Sequence, residues 1–157
     1  ITTRMSSGMP DLTGLSISDV ATATNVTSAA DTISVINYTG SAAATMTLPS
    51  ATAGTIVVYC QSKDTTGGTT ALVFDAAGSD VFATGSVIES RGSSEVTFDT
   101  SAAGETKLTF TPANATTNLL TTGGQIAFIC YENATWHIAT KLAAETTQVT
   151  GAFVFAA

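Results

Sequence analysis

This 157-residue sequence carries very little charge. Charged residues make up 11% of the chain, against about a quarter in ordinary globular proteins, and only five residues are Lys or Arg. Because these five cations are scattered and form no basic patch, the sequence predicts no nucleic-acid partner. No apolar run is long enough to cross a bilayer, so we predict no membrane partner either.

Histidine and cysteine are also scarce, which limits the chemistry available to the chain. Two cysteines and one histidine cannot complete a zinc site without carboxylates or a second chain. A Ser-His-Asp triad would have to use His137, which follows Trp136 on a predicted strand with no nucleophile-elbow motif, so we interpret His137 as a surface or subunit-contact residue. The carboxylates of residues 75–105 could supply a glycosidase acid and base, but such a group is more typical of a solvated face. We therefore predict a protein that is not an enzyme and has no catalytic residue, cofactor or metal.

Small and hydroxyl-bearing residues take the place of charge. Thr, Ala, Ser and Gly together form about half of the chain, and Thr alone forms about a fifth. This composition is typical of β-strands whose polar positions carry hydroxyls. A surface of this kind loses little on desolvation, which favours packing against neighbouring subunits.

Two stretches share the pattern Gly-x-Ile-x-apolar-x-Cys, namely GTIVVYC at residues 54–60 and GQIAFIC at residues 124–130. Alternate residues of a strand share a face, and both faces of these stretches are largely apolar. The pattern predicts two central strands of an all-β domain or strands that face a partner subunit. Cys60 and Cys130 could form a disulfide between neighbouring strands or remain free thiols. We favour free thiols because a domain of this size can bury a sufficient core without a disulfide.

About ten short strand patterns separated by Gly-rich turns predict an all-β fold, an antiparallel β-sandwich or jelly-roll-like domain over residues 20–157. Residues 95–99 and 107–111 are predicted to form a hairpin, and Asn133-Ala134 is predicted to form a turn. Residues 1–19 have no clean period and are interpreted as an N-terminal arm that orders on a neighbouring subunit, with a frayed terminus as the alternative.

The candidate partner-binding residues lie in this arm and on strand faces that a threefold assembly would cover. They are Arg4, Met5, Met9, Leu12, Leu15, Val57, Tyr59, Phe153 and Phe155.

Two runs of sequence carry a resemblance to a known family: MTLPSATAGTIVV at residues 46–58 and GGQIAFICYENATWHI at residues 123–138. They resemble a module of tailed-bacteriophage head decoration (cement) proteins, capsid fibres and tail-fibre domains. In that module a TLPxAxxG turn leads into a central strand, and a later strand ends in a turn followed by WxI. The resemblance covers about residues 44–140. It departs from the family where Asn133-Ala134-Thr135 replaces the usual Asp-Gly before the tryptophan.

The resemblance implies a β-structured virion protein without enzymatic activity, commonly trimeric. We therefore expect a capsid decoration or cement protein on the outer surface of the capsid, which stabilises the phage head by binding between major capsid protein subunits. Its expected partners are the major capsid protein and further copies of itself in a homotrimer. The main alternative is a receptor- or glycan-binding domain of a capsid or tail fibre, and a depolymerase comes third.

Overall fold

A computed structural model describes residues 5–6, 9–10, 15–28, 32–63, 71–91, 96–110, 119–120, 123–139, 142–145 and 153–157. These residues form seventeen strands and no helix. The strands are β1 (Met5–Ser6), β2 (Met9–Pro10), β3 (Leu15–Val20), β4 (Thr24–Asn25), β5 (Ile33–Tyr38), β6 (Ala44–Thr47), β7 (Thr55–Gln61), β8 (Leu72–Asp75), β9 (Val81–Phe82), β10 (Val87–Arg91), β11 (Val96–Thr100), β12 (Lys107–Phe110), β13 (Leu119–Leu120), β14 (Gln125–Glu132), β15 (Thr135–Ile138), β16 (Leu142–Glu145) and β17 (Phe153–Ala156).

Two large sheets form the body of the protein. The six-stranded sheet has the order β3-β5-β7-β14-β15-β9, and the five-stranded sheet has the order β17-β12-β8-β6-β4. A four-stranded sheet, β11-β10-β16-β13, and the pair β1-β2 complete the described strands. The prediction of an all-β sandwich is confirmed, and β7 and β14 are the two central strands of the larger sheet, as the repeated motif predicted.

The first half of the chain alternates between the two large sheets. Strands β3, β5 and β7 lie side by side in one sheet, while β4, β6 and β8 lie side by side in the other. Each strand-turn-strand unit therefore crosses the sandwich and stacks on the next, so that neighbours within a sheet run parallel. The register is continuous, with Leu15 beside Ile33 and Ile33 beside Ile56.

The pairing in the sandwich is therefore mixed, which corrects the prediction of an antiparallel arrangement. Antiparallel neighbours occur where β14 meets β7 and β15, and where β12 meets β8 and β17. Parallel neighbours need a long crossover, and here the strand in the opposite sheet supplies it. Short strands between Gly-rich turns look the same in sequence whether the chain returns as a hairpin or crosses to the other sheet.

The inner faces of the two sheets meet in an aromatic core. Tyr59 of the six-stranded sheet packs edge-on against Phe74 of the five-stranded sheet, with ring centroids 4.9 Å apart. Phe74 lies 5.2 Å from Phe128, and Phe82 lies 5.5 Å from Phe155. All five rings are at most 5% exposed. Burial of such rings is the main favourable term that holds the two sheets together.

The loop after β5 depends on a glycine. A Cβ atom at Gly40 would lie 2.3 Å from the carbonyl oxygen of Ala21 and 2.6 Å from the hydroxyl of Tyr38. That hydroxyl donates a hydrogen bond of 2.8 Å to the carbonyl oxygen of Ala42. The missing side chain at Gly40 thus leaves room for the buried Tyr38 to reach its acceptor.

Two further predictions are corrected by the strand pairing. The sequence predicts a boundary between arm and domain after residue 19, but β3 pairs with β5 from Leu15 to Val20, so residues 15–19 belong to the sheet. The predicted hairpin of residues 95–99 with residues 107–111 does not form, because β11 pairs with β10 while β12 pairs with β8 and β17. The predicted turn at Asn133-Ala134 does join two antiparallel strands, β14 and β15.

Candidate functional site

The two faces of the central strands differ in what covers them. In β7 the inner positions are Thr55, Val57, Tyr59 and Gln61, which are all buried. The alternate positions in the same strand, beginning at Ile56, are only partly buried. The six-stranded sheet therefore turns a second set of side chains away from the core.

These outward side chains line up across four neighbouring strands. The register places Ile17, Val35, Val58 and Ala127 in one row, and Leu15, Ile33, Ile56 and Ile129 in the next. Every one of the eight side chains is aliphatic. We refer to Leu15, Ile17, Ile33, Val35, Ile56, Val58, Ala127 and Ile129 together as the aliphatic face.

Exposure varies across the aliphatic face. At its outer strand, β3, the side chains of Leu15 and Ile17 are 39% and 67% exposed. The remaining side chains of the face are partly buried between their neighbours, except Ala127, which is 9% exposed. None of the eight belongs to the cluster of buried core residues. The face is thus a second apolar surface, separate from the core of the sandwich.

Polar side chains border the aliphatic face on two sides. At one border the row Asp19, Asn37, Cys60 and Gln125 crosses the same strands, and the Asn37 side-chain amide donates a hydrogen bond of 2.8 Å to Asp19 Oδ1. An apolar centre with a polar rim is the usual arrangement of a protein–protein contact surface.

The only histidine of the chain lies at the opposite border. The ring of His137 stacks on Tyr131, with centroids 3.8 Å apart and planes inclined by 20°. His137 Nδ1 is 2.9 Å from the Tyr131 hydroxyl, and Nε2 is 3.2 Å from Glu132 Oε1. Tyr131 is 65% exposed, so the stacked pair presents an aromatic surface to solvent.

The structure corrects four of the predicted partner-binding residues. Val57, Tyr59, Phe153 and Phe155 are at most 5% exposed and belong to the core of the single chain, so they are not available to a partner. The outward residues of β7 are their neighbours Ile56 and Val58.

The other predicted partner-binding residues lie near the start of the chain. Leu15 does lie on the aliphatic face. Met5 and Met9 lie in the paired strands β1 and β2, but their side chains are not among those that the structure describes. Arg4 and Leu12 lie outside the described residues.

The repeated motif occupies opposite faces in its two copies, which sequence reasoning missed. Tyr59 lies opposite Ile126, and Ile56 lies opposite Ile129. The isoleucine of the first copy, Ile56, therefore points outward, whereas the isoleucine of the second copy, Ile126, points into the core. Cys60 consequently points outward with the polar border, whereas Cys130 is 1% exposed and points into the core.

Both cysteines are free, as predicted. Burial raises the pKa of the Cys60 thiol and, as the largest of several influences, that of Cys130. Neither thiol is therefore activated as a nucleophile, because nucleophilic attack requires the thiolate.

The two sequence runs that carry the resemblance meet in space. The backbone N–H of Ala53 donates to Asn133 Oδ1 at 2.9 Å, and the N–H of Ala134 donates to the carbonyl oxygen of Ala51 at 2.8 Å. Asp80 Oδ2 accepts a hydrogen bond of 2.6 Å from the N–H of Ala51. These contacts hold the turn before β7 against the β14–β15 hairpin and so fix the edge of the aliphatic face.

Several of the carboxylates considered as acid–base candidates bind backbone amides instead. Besides Asp80, Asp99 Oδ2 accepts from the N–H of Phe155 at 2.8 Å, and Glu105 Oε2 accepts from the N–H of Ala102 at 2.6 Å. Glu95 and the side chain of Glu89 lie outside the described part of the chain. Within the described residues, no group of three or more His, Cys, Asp or Glu side chains is placed to hold a metal ion.

No protein-family model, no curated protein and no solved structure matches this chain. Among the described residues there is no helix with the length and apolar character needed to cross a membrane.

Proposed function

We propose that this protein is a structural virion protein, a decoration or cement protein on the outer surface of a tailed-phage capsid. In this proposal it stabilises the head by binding between major capsid protein subunits, with no chemical step. The observation that supports the proposal best is the aliphatic face, which gives a protein of low charge an apolar surface outside its own core.

The dimensions of the aliphatic face suit the centre of such a contact. Four strands at about 4.8 Å spacing give a patch about 14 Å wide and two side-chain rows deep. A stable contact buries about 800 Å² on each partner, so the polar border must contribute as well. Asp19 and Glu132 are the only charged residues among the border positions named above, and this keeps the cost of desolvation low.

The outward face of the five-stranded sheet lacks this character. Its first row is Val154, Thr109, Val73 and Thr45, and its second row is Ala156, Lys107, Asp75 and Thr47. Hydroxyls and charges interrupt both rows, so we assign capsid binding to the aliphatic face rather than to this one.

The test compares two valines that occupy equivalent positions. Val58 and Val73 are both partly buried, both lie in interior strands, and both point outward, one from each sheet. Wild-type protein should co-sediment in near-stoichiometric amount with capsid shells that lack it. Val58→Asp should weaken this binding by at least about tenfold, because the contact would bury an unpaired carboxylate, whereas Val73→Asp should bind normally.

Circular dichroism of both variants controls for folding. If folded Val58→Asp binds shells as the wild type does, the aliphatic face is not the capsid-binding surface. Hundreds of copies per particle would support the cement role over a fibre, which is present in few copies. The homotrimer implied by the resemblance remains a prediction, and light scattering of the protein alone would test it.

The stacked Tyr131–His137 pair favours the alternative function, a glycan-binding domain of a fibre. An exposed aromatic ring beside polar side chains is a common element of ligand sites. Under this alternative, Tyr131→Ala abolishes binding to host-surface glycans, while binding to shells is absent in the wild type as well.

A further inference from the structure

The two ends of the sandwich are closed to different degrees. At one end the edge strands are engaged, because the N–H of Phe82 in β9 donates to the carbonyl oxygen of Glu105, and the N–H of Phe155 in β17 donates to Asp99. At the other end β3 and β4 are the last strands of their sheets, and no described residue pairs with their outer edges. Among the described residues, the stack of parallel units thus ends at this side on edges that have no strand partner.

A groove opens between the two sheets at the same end. Its volume is about 140 Å³, and its walls include the hydroxyls of Ser16, Ser18, Thr24 and Ser34 above a floor formed by Val26 and Ile36. The inward-pointing side chains of β3 therefore line a cleft and not a packed core. Ser34 Oγ and Thr24 Oγ1 donate to the carbonyl oxygens of Thr27 and Asn25, at 3.4 Å and 3.5 Å. The hydroxyls of Ser16 and Ser18, on the edge strand, can pair with matching hydroxyls from another strand.

The edge strand β3 lacks the features that normally prevent pairing with another chain. Its sequence, LSISDV, contains no proline and no lysine, and its six residues pair with β5 without a bulge. The outward side chain of Ile17 is 67% exposed, and the single charge, Asp19, is hydrogen-bonded to Asn37. A regular edge of this kind, with exposed apolar side chains at Leu15 and Ile17, pairs readily with a further strand.

We propose that this open end binds the same end of a second copy of the chain, with the two β3 strands antiparallel about a two-fold axis through Ile17. The sequence around this residue is a short palindrome, Ser16-Ile17-Ser18. The axis places Ile17 opposite Ile17 of the second copy on the outward side, and Ser16 opposite Ser18 in the groove. A shift of the axis to Ser18 would instead place Ile17 opposite Asp19.

The charges of the two copies are compatible with this pairing. The axis places Asp19 opposite Leu15 of the second copy, so the two Asp19 residues lie about 14 Å apart along the strands. This separation exceeds the screening length of about 10 Å at moderate ionic strength, so their repulsion is weak. The pairing also joins the aliphatic faces of the two copies into one continuous surface, because Leu15 and Ile17 are its outermost members.

The contact predicts an even number of chains in solution: two, or six if a trimer also forms through another surface. Light scattering on the full chain should give twice the 15.8 kDa mass of the single chain, or six times that mass. Ile17→Lys should halve the measured mass, because it places two like charges on the axis. Val154→Lys is the matched control, since Val154 is 48% exposed on the outward face of β17, and it should leave the mass unchanged.

A cross-linking experiment tests the register. In a Cys60→Ser background, Ile17→Cys should form a dimer on oxidation, because directly opposite Cβ atoms lie within about 5.5 Å. Asp19→Cys, at a position that is also exposed and lies two residues away, should not form this dimer. A monomer or trimer whose mass Ile17→Lys does not change would overturn the contact, and cross-linking through Asp19→Cys would overturn the register. The inference stands apart from the proposed function, because neither measurement involves shells.

Discussion

The outward faces of the two large sheets obey the same alternation but carry different residues. On the six-stranded sheet two adjacent rows are aliphatic across four strands. On the five-stranded sheet the corresponding rows contain Thr45, Thr47, Lys107, Thr109 and Asp75. Both sheets contribute buried side chains to the core from their inner faces, so the difference between the outward faces does not arise from the needs of the core.

This contrast separates the side chains that the fold requires from those that it does not require. A β-sandwich needs one apolar face per sheet, and hydroxyls or charges on the other face keep the protein soluble. The five-stranded sheet follows that rule. The six-stranded sheet breaks it over eight side chains, and an apolar patch with no role in the core is the usual mark of a contact surface.

The largest effect should separate the two faces of β14 at neighbouring residues. Phe128 is fully buried against Phe74 and Phe82, so Phe128→Ala should lower the free energy of unfolding by about 3–5 kcal/mol. Ile129 lies on the aliphatic face and is only partly buried, so Ile129→Ala should cost about 2 kcal/mol or less. Urea unfolding of both variants measures the difference. Equal losses would mean that the aliphatic face is covered as part of a core.

The alternation of the sequence was sufficient to predict the central strands but not which face lies inside. Residues 54–60 are apolar at both odd and even positions, so hydropathy alone cannot assign the core side. The assignment depends on partners far away in sequence, since Val57 and Tyr59 are buried where the five-stranded sheet supplies Phe74. The motif does not assign the core side either, because Ile56 of the first copy points outward whereas Ile126 of the second copy is buried in the core.

The parallel stacking of the strands in the first half of the chain could not be predicted from the sequence either. Local residue patterns determine where β5, β6 and β7 begin and end, but not whether each turn returns to the same sheet or crosses to the other. The aliphatic face is therefore visible only when the register is known, because its eight residues come from four separate stretches of chain. Leu15 was predicted as a partner-binding residue from its apolar character alone.

A second effect, of intermediate size, should distinguish a tyrosine of the core from one on the surface. Burial, with a contribution from Tyr38 and then Cys60, raises the pKa of Tyr59 well above its usual value near 10. Above pH 10 the unfolded chain loses this proton while the native protein retains it, so the stability contributed by the protonated phenol falls as pH rises. Above pH 10, the free energy of unfolding should therefore fall by about 1.4 kcal/mol per pH unit because of this residue.

Unfolding curves between pH 8 and pH 11 measure this slope. Tyr59→Phe should be less stable at neutral pH, because Gln61 loses the hydroxyl that donates to it, but its stability should fall less steeply above pH 10. Tyr131→Phe is the matched control, because it removes the hydroxyl of a side chain that is 65% exposed. If the two variants had the same slope, the buried phenol would not be the source of the alkaline loss.

The smallest effect on stability should come from making the two outward faces alike. Val58→Thr gives the aliphatic face the residue type that the five-stranded sheet carries at Thr109, and it preserves the β-branched shape that suits a strand. Because Val58 is not a core residue, its replacement should change the free energy of unfolding by less than about 1 kcal/mol. Binding of a hydrophobic dye should nevertheless decrease, since the hydroxyl interrupts a continuous apolar row. Val73→Thr is the matched change on the other sheet, where neighbouring threonines already interrupt the row, so dye binding should stay constant. A decrease of equal size in both variants would show that the two faces do not differ in apolar exposure, and the basis for assigning recognition to one of them would be lost.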